Sequence, residues 1–202
     1  MSQELTQEAA KKLMKIKGEA RGVVFKTDGE YILKEKREKG LKRLEEELEK
    51  LGYPIKYKEI KTMIFYPVGL RALSLLAIKK VFNFDEEKIK EMGRFATKVS
   101  FIVKLFMRHF VSLQRVFSRE APKLWKKHWT VGKLDSIELN EEKKYAILGV
   151  RGFNLHPLYC YYLSGYFSGI LQMTVRSPKI TCEETKCAFR GDEYHEYLLK
   201  WE

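Results

Sequence analysis

The chain has 202 residues, of which 45% are hydrophobic and 13% are aromatic. This length suits one compact domain with a sizeable core, so a globally disordered chain is excluded. Three cysteines are too few for a disulfide framework, and their odd number favours a reducing compartment. The N-terminal segment MSQELTQEAAKK lacks the apolar stretch of a secretory signal, and charged residues interrupt FIVKLFMRHFV, the best candidate for a membrane span. We therefore expect a soluble, cytoplasmic protein without a transmembrane segment.

The net charge of +12 is distributed unevenly along the chain. Residues 61–130 carry 15 basic and 5 acidic side chains, whereas residues 131–202 carry 9 and 10. A basic middle third could bind nucleic acid, an anionic membrane or an acidic protein partner. We favour the alternative of a Lys-rich solvated surface, because no basic run exceeds two residues and no RNA-binding motif accompanies the charge. Nucleic acid is therefore not an expected partner.

Helical spacing dominates the first half of the chain. Apolar residues recur three and four positions apart over residues 3–17 and 30–51, which predicts two helices. Between them, RGVVFKTDG is rich in β-favouring and then turn-forming residues, which predicts a short strand and a turn. Pro67 suits the first turn of a helix over 67–81. Asp85 suits the N-cap of a long helix that continues to about residue 110.

The last third of the chain changes to strand patterns around one apolar helix. LDSIELN and KKYAILGV predict a hairpin, and two more strands are expected around 174–183 and 193–201. The helix opens at Pro157 and carries Gly165 and Gly169, a spacing that lets another backbone approach closely or leaves room beside the helix. We predict an α+β fold, with N-terminal helices packed on an antiparallel sheet and a C-terminal ββαββ arrangement.

Potential metal ligands concentrate in TCEETKCAFRGDEYHEYLLKW, near the C-terminus. Strand alternation points His195 inward together with Tyr197, and a hairpin would bring residues 184–187 close to it. Cys and His ligands on adjacent strands suit tetrahedral zinc, with a carboxylate as a further ligand. The alternative is that Cys182 and Cys187 are small buried apolar residues and that His195 is a core histidine.

The same segment resembles the 4-vinyl reductase domain family, whose last hairpin carries a Cys-x3-Gly-x3-Cys pattern followed by an apolar strand. Here the pattern runs from Cys187 through Gly191 to His195, with histidine in place of the second cysteine. The preceding helix, HPLYCYYLSGYFSGIL, is also similar to that family's penultimate helix. The resemblance implies an α+β fold related to the haem-nitric-oxide sensors and to a Golgi-transport subunit. It further implies a ligand-binding domain over 61–202, with residues 1–60 packed on the same core.

The resemblance also implies a zinc site. In the phenol-sensing members, zinc is held by a cysteine of the penultimate helix and by Glu-x2-Cys-x7-Cys in the last hairpin. Carried over position by position, the ligands here are Cys160, Glu184, Cys187 and His195, with Cys182 in reserve for Cys160. Four protein ligands leave no open position for water, so the zinc would be structural.

Candidate ligand contacts come from two helices and one loop. The predicted long helix places Phe106 and His109 on its buried face. A lone histidine there is usually a core residue, and the alternative is a polar handle that fixes a ligand hydroxyl or carbonyl. The phenol sensors use a His and a Trp in this way, so the resemblance implies His109 and Trp129 as ligand contacts, with Phe106 and Tyr166 beside them. His128, in KLWKKHWTVG, is expected to be exposed.

Aromatic residues on both helices predict an apolar pocket between the long helix, the helix over 157–173 and the sheet. Interdigitation of these rings into a dense core is the competing outcome. The Tyr-x-Ser-x-Arg motif that binds haem propionates in the nitric-oxide sensors is absent, so haem is not expected.

No catalytic signature accompanies these features. The sequence lacks Gly-x-Ser-x-Gly, a P-loop and a dinucleotide fingerprint, so an enzyme is not the favoured interpretation. The leading hypothesis is a zinc-stabilised sensor or carrier domain for a hydrophobic and in particular aromatic ligand. Its signal would pass through a partner protein or a homodimer. The alternative is an interaction module whose basic helical surface, within 61–130, binds nucleic acid, an anionic membrane or an acidic protein.

Overall fold

The computed structural model describes residues 5–107, 112–175 and 177–202, with Phe106 and Met107 described for their backbone alone. The predicted ligand contact His109 and the side chain of Phe106 therefore lie outside the described part of the chain. No described helix combines the length and the apolar character needed to cross a lipid bilayer.

Helices make up most of the described first two thirds of the chain. They are α1 (Gln7–Met14), α2 (Val23–Lys50), α3 (Val68–Phe82), α4 (Glu86–Val99), α5 (Phe101–Met107), the short α6 (Leu113–Arg115) and α7 (Ala121–His128), with a π-helical turn over Val116–Glu120 between the last two. Two short strands, β1 (Glu19–Arg21) and β2 (Phe65–Pro67), pair antiparallel and bring the starts of α2 and α3 together.

The predicted strand at Val23 is wrong, because α2 already begins there. Val23, Val24 and Phe25 favour strands by themselves, but all three side chains are buried in the helical core. The backbone amides of Gly22 and Val23, which no helical carbonyl can satisfy, donate to carbonyls of the 61–64 loop. Tertiary contacts therefore outweigh the local preference. The strand of this region lies just before it, over β1.

The predicted long helix after Asp85 is two helices. Asp85 is the N-cap of α4 as expected, since its carboxylate accepts a 2.8 Å hydrogen bond from the Lys88 amide. At Ser100 the backbone leaves the helical region with ψ of 117°, and α5 starts at the next residue. Apolar spacing continues across the break, so periodicity could not reveal it.

The last third contains the predicted ββαββ arrangement. Its elements are β3 (Lys133–Asn140), β4 (Tyr145–Arg151), α8 (Leu158–Thr174), β5 (Ile180–Lys186) and β6 (His195–Trp201). The four strands form one antiparallel sheet in the order β3-β4-β6-β5. Alternate residues of the central strands, such as Leu148 and Tyr197, are buried beneath the helices. The α+β fold with helices on an antiparallel sheet is confirmed.

Glycines set the distance between α4 and α8. A Cβ atom added at Gly165 would lie 1.9 Å from the Lys90 carbonyl oxygen, and one added at Gly93 would lie 2.1 Å from the Tyr162 carbonyl oxygen. At Gly169 the added atom would lie 2.5 Å from Oγ1 of Thr97. The sequence left two roles open for Gly165 and Gly169: close approach of another backbone, or free space beside the helix. The structure contains the first of these. The space beside them is filled by α4.

A buried ion pair joins α2 to α3 inside the core. Arg71 is 0% exposed and Asp28 is 1% exposed. Nη2 of Arg71 donates to Oδ1 of Asp28 at 3.0 Å, and Nη1 lies 2.9 Å from Oδ2. The rings of Tyr159 and Tyr162, on α8, lie 5.8 and 5.1 Å from the guanidinium carbon. This cluster fastens α2 and α3 beneath α8.

Candidate metal centre and adjacent cavities

Four potential metal ligands meet where the start of α8 lies against the loop end of the β5–β6 hairpin. Cys160 lies in the first turn of α8, Glu184 near the end of β5, Cys187 just after that strand, and His195 at the first position of β6. One donor atom from each of them lies within 4.8 Å of all the others. These are the four residues that the sequence resemblance implied as ligands. Cys182 is not a member of the cluster, so the structure places Cys160 there instead of the reserve ligand.

The donor separations fit a tetrahedral zinc ion. With Zn–S bonds of about 2.3 Å and Zn–N bonds of about 2.0–2.1 Å, a regular tetrahedron separates two sulfurs by about 3.8 Å and a sulfur from a nitrogen by about 3.6 Å. The Sγ atoms of Cys160 and Cys187 are 3.7 Å apart, and Sγ of Cys160 lies 3.8 Å from Nδ1 of His195. Nδ1 of His195 and Oε1 of Glu184 are 2.9 Å apart, which is a hydrogen-bond distance. Binding of an ion between these two atoms would have to increase their distance by a few tenths of an ångström.

The electrostatics of the cluster favour a cation. Burial raises the pKa of the Cys160 thiol, and the Glu184 carboxylate raises it further. Burial also acts to raise the pKa of Glu184, but hydrogen bonds from His195 and Cys160 outweigh it and lower that pKa below its usual value. A carboxylate is thus held beside two buried sulfurs, an arrangement that a divalent cation would stabilise. This buried cluster of two cysteines, a glutamate and a histidine could therefore bind a metal.

The loop after β5 holds the second cysteine in place. The carboxylate of Asp192 accepts a 2.7 Å hydrogen bond from the Cys187 amide, and the Arg190 amide donates to the Cys187 carbonyl at 2.8 Å. Gly191 has φ of +101°, a conformation that an L side chain rarely adopts. This tight turn brings Cys187 back towards the start of β6, and it accounts for the glycine between the two ligand positions.

Two small cavities lie along the middle of α8, around α7. The first is lined by residues of α2, α4, α7 and α8, and the second by residues of the π-helical turn, α7, α8 and the sheet. Their volumes are about 20 and 30 Å³, enough for a water molecule each. Four side chains line both cavities: Trp125, His128, Trp129 and Tyr166. Two of the predicted ligand contacts, Trp129 and Tyr166, are therefore at these cavities.

His128 is buried, with 4% exposure, so the prediction that it is exposed is wrong. Its Nδ1 lies 2.9 Å from the Leu124 carbonyl oxygen and must carry the proton, because a carbonyl can only accept. Burial lowers the pKa of His128 to about 4, so the ring is neutral near pH 7 and Nε2 is an acceptor. Among the described residues we find no hydrogen-bond partner for this Nε2, for Nε1 of Trp129 or for the Tyr166 hydroxyl.

A helical signal for this site was present in the sequence. Leu124, Trp125 and His128 are spaced to share one face of a helix, with Lys123, Lys126 and Lys127 on the other face. In the structure the first three are buried and the three lysines are exposed. The basic residues around His128 suggested a solvated segment, although its amphipathic spacing already indicated otherwise.

No protein-family model matches this sequence, and no curated protein matches it either. Solved structures do match. An H-NOX protein from S. oneidensis in the Fe(II) ligation state aligns over 90% of this chain and 96% of its own length, with a TM-score of 0.68 and 14% identity. Variants of Tt H-NOX and Cs H-NOX give TM-scores of 0.65 and 0.63 over the same share of this chain, at 14% and 15% identity. The chain has the H-NOX fold. At these identities the likeness concerns the fold and not the ligand.

A haem group does not fit the described part of the H-NOX-like fold in this chain. The cavities between the helices and the sheet measure about 20 and 30 Å³, whereas sites for ligands of drug size occupy roughly 300 Å³ or more. Trp125, Trp129 and Tyr166 line both cavities.

Proposed function

We propose that this chain is a zinc-stabilised module that binds a small aromatic ligand carrying a hydroxyl group. The observation that carries the proposal is the neutral, buried His128, whose Nε2 accepts no hydrogen bond from the described residues and which lines both cavities. A phenolic O–H would donate to that nitrogen, and its ring would pack against Trp125, Trp129 and Tyr166. Small-molecule sites typically combine such an apolar lining with few polar groups.

Ligand binding would require the two cavities to merge. Each is too small for a phenol, but the same four side chains separate and line both of them. Tyr166 is half-buried, and no hydroxyl hydrogen bond to a described residue fixes its ring. A change of its rotamer would join the two spaces. The sequence resemblance to phenol sensors supports this ligand class, with His128 in place of His109 as the proposed polar anchor.

The metal would act as a structural clamp in this proposal. Zinc held by Cys160, Glu184, Cys187 and His195 would fasten the start of α8 to the β5–β6 hairpin. Tyr166, which lies later on the same helix, would then be positioned by a fixed helix. The module would signal or deliver its ligand through a partner protein or a second copy of the chain.

Thermal shift with matched ligands and variants tests the ligand proposal. We expect phenol and cresols to raise the melting temperature more than benzene and toluene do, because only the phenols can donate to His128. His128→Leu should abolish this difference while the protein stays folded. Tyr161→Phe is the control, since Tyr161 is a tyrosine of the same helix that lines neither cavity. Failure of every aromatic to stabilise the protein, or an unchanged phenol preference in His128→Leu, would refute the proposal.

A further inference from the structure

Exposed apolar side chains concentrate in two segments. Seven large apolar side chains are exposed among the described residues, and four of them lie in the 61–64 loop and on α5. Met63 and Ile64 are 57% and 52% exposed, and Phe101 and Leu105 are 64% and 49% exposed. Single exposed apolar residues are common on protein surfaces, but two such pairs in short segments call for a physical explanation.

The fold holds the first pair outward. Three consecutive carbonyls, those of Thr62, Met63 and Ile64, accept hydrogen bonds of 2.9, 2.9 and 2.7 Å from residues 21–23. Because the backbone carbonyls at three successive positions are hydrogen-bonded to the rest of the fold, the loop cannot rotate to bury Met63 and Ile64. Their exposure is therefore a property of the folded loop.

The first pair lies beside the first turn of α2, and the second pair lies on the helix that follows Ser100. Val23, which begins α2, donates to the Thr62 carbonyl of the loop. Val23 also lines the first cavity together with Ser100, the residue just before α5. The 61–64 loop is thus bonded to Val23, and the residue that precedes α5 lines the same cavity as Val23. We call the 61–64 loop together with the exposed side of α5 the apolar rim.

Basic residues outnumber acidic ones around the apolar rim. Residues 61–67, 98–107 and 121–130 contain six lysines and no aspartate or glutamate. Arg21 links two of these segments, because its guanidinium donates to the carbonyls of both Met63 and Lys127. Lys61 and Lys104 are exposed within the rim itself, and Lys127 is exposed at the end of α7. Acidic residues are present at the edges of these segments, since Glu19 pairs with Pro67 and Glu120 lies 3.1 Å from Lys123. The apolar side chains thus project from a surface on which positive charge predominates.

We propose that the apolar rim docks this protein on an anionic phospholipid surface. Met63, Ile64, Phe101 and Leu105 would enter the headgroup and upper acyl region, while the lysines contact lipid phosphates with their stems along the apolar boundary. The side chains project from a loop and a helix, which suits insertion into lipid better than capture of a peptide in a groove. Three of the four side chains are aliphatic and offer no ring for stacking on nucleic-acid bases. Docking would place the first cavity next to the lipid.

Vesicle co-sedimentation of the full chain tests this proposal. We expect binding to phosphatidylcholine vesicles that contain about 30% phosphatidylserine and little binding to pure phosphatidylcholine, because anionic lipids attract surface lysines. Met63→Ser/Ile64→Ser should weaken binding by about tenfold or more, since burial of each apolar side chain is lost. Lys61→Gln should weaken it about fivefold, and about 500 mM salt should weaken it strongly. Ile137→Ser is the matched control, as Ile137 is 43% exposed on β3.

Three results would overturn the proposal. They are the absence of vesicle binding by the folded wild-type protein, equal binding by the Met63→Ser/Ile64→Ser and Ile137→Ser variants, and binding to duplex RNA but not to vesicles. Circular dichroism melting of each variant separates lost docking from lost folding. The outcome is independent of the phenol test, because that test uses protein in solution without lipid.

Discussion

Removal of the metal should lower the stability of this protein by an amount that can be worked out. A ligand that binds only the folded state, present at about 1,000 times its dissociation constant, stabilises that state by about 4 kcal/mol. For 202 residues, an unfolding entropy of about 2.1 cal/mol/K per residue corresponds to about 0.4 kcal/mol/K. Chelation of zinc should therefore lower the melting temperature by about 10 °C.

The three cysteines supply a matched pair of variants for this prediction. Cys187 lies in the cluster, whereas Cys182 is half-buried on β5 and outside it. We expect one zinc per chain in the wild-type protein and in Cys182→Ser by elemental analysis, after purification without a His-tag. Cys187→Ser should lose the metal, and its melting temperature should no longer respond to chelator. A phosphine reductant is needed throughout, because the sulfurs of Cys160 and Cys187 are only 3.7 Å apart and could oxidise to a disulfide.

Metal affinity should also depend on pH. Burial and the Glu184 carboxylate raise the pKa of Cys160, so this thiol is protonated at neutral pH until a metal displaces its proton. Each displaced proton makes the affinity rise about tenfold per pH unit, and competition with a chromogenic chelator between about pH 6 and 8 measures that slope. Substoichiometric zinc, equal chelator sensitivity of Cys182→Ser and Cys187→Ser, or an affinity that does not change with pH would refute the metal-site reasoning.

Two further predictions concern the core. Arg71→Met should lower the free energy of unfolding by about 3–5 kcal/mol, measured by urea unfolding, because it leaves Asp28 buried and unpaired. The double variant Asp28→Leu/Arg71→Met should recover most of that loss. A double variant as unstable as the single one would contradict this prediction. His128 should make the folded state sensitive to acid. Its folded pKa of about 4 lies below the unfolded value of about 6.5, so its contribution is complete above pH 6.5 and is lost as the pH falls towards 4. Between pH 7 and 4.5, with chelator present in both samples, the free energy of unfolding should fall by about 2–3 kcal/mol more in the wild-type protein than in His128→Leu. Equal losses would show that His128 is not buried and neutral.

Features decided within a few neighbouring residues were predictable from the sequence. The Asp85 cap depends on one side chain and an amide three residues later, and the structure contains that hydrogen bond. The β3–β4 hairpin and the apolar helix opened by Pro157 likewise follow from local alternation and turn chemistry. The sequence resemblance also named four residues, from Cys160 to His195, that the structure brings together.

Only the tertiary structure decided which side chains became buried and what fills the space beside them. Val23 begins a helix because the 61–64 loop accepts hydrogen bonds from its end, a contact between residues about 40 positions apart. Gly165 permits close packing because α4 lies against it, and the same glycine beside another neighbour would have left room. His128 is buried because α2, α4 and α8 close around α7, although lysines surround it in the sequence. Local patterns establish elements and faces, but the partner of each face is set by long-range contacts that a short stretch of sequence does not encode.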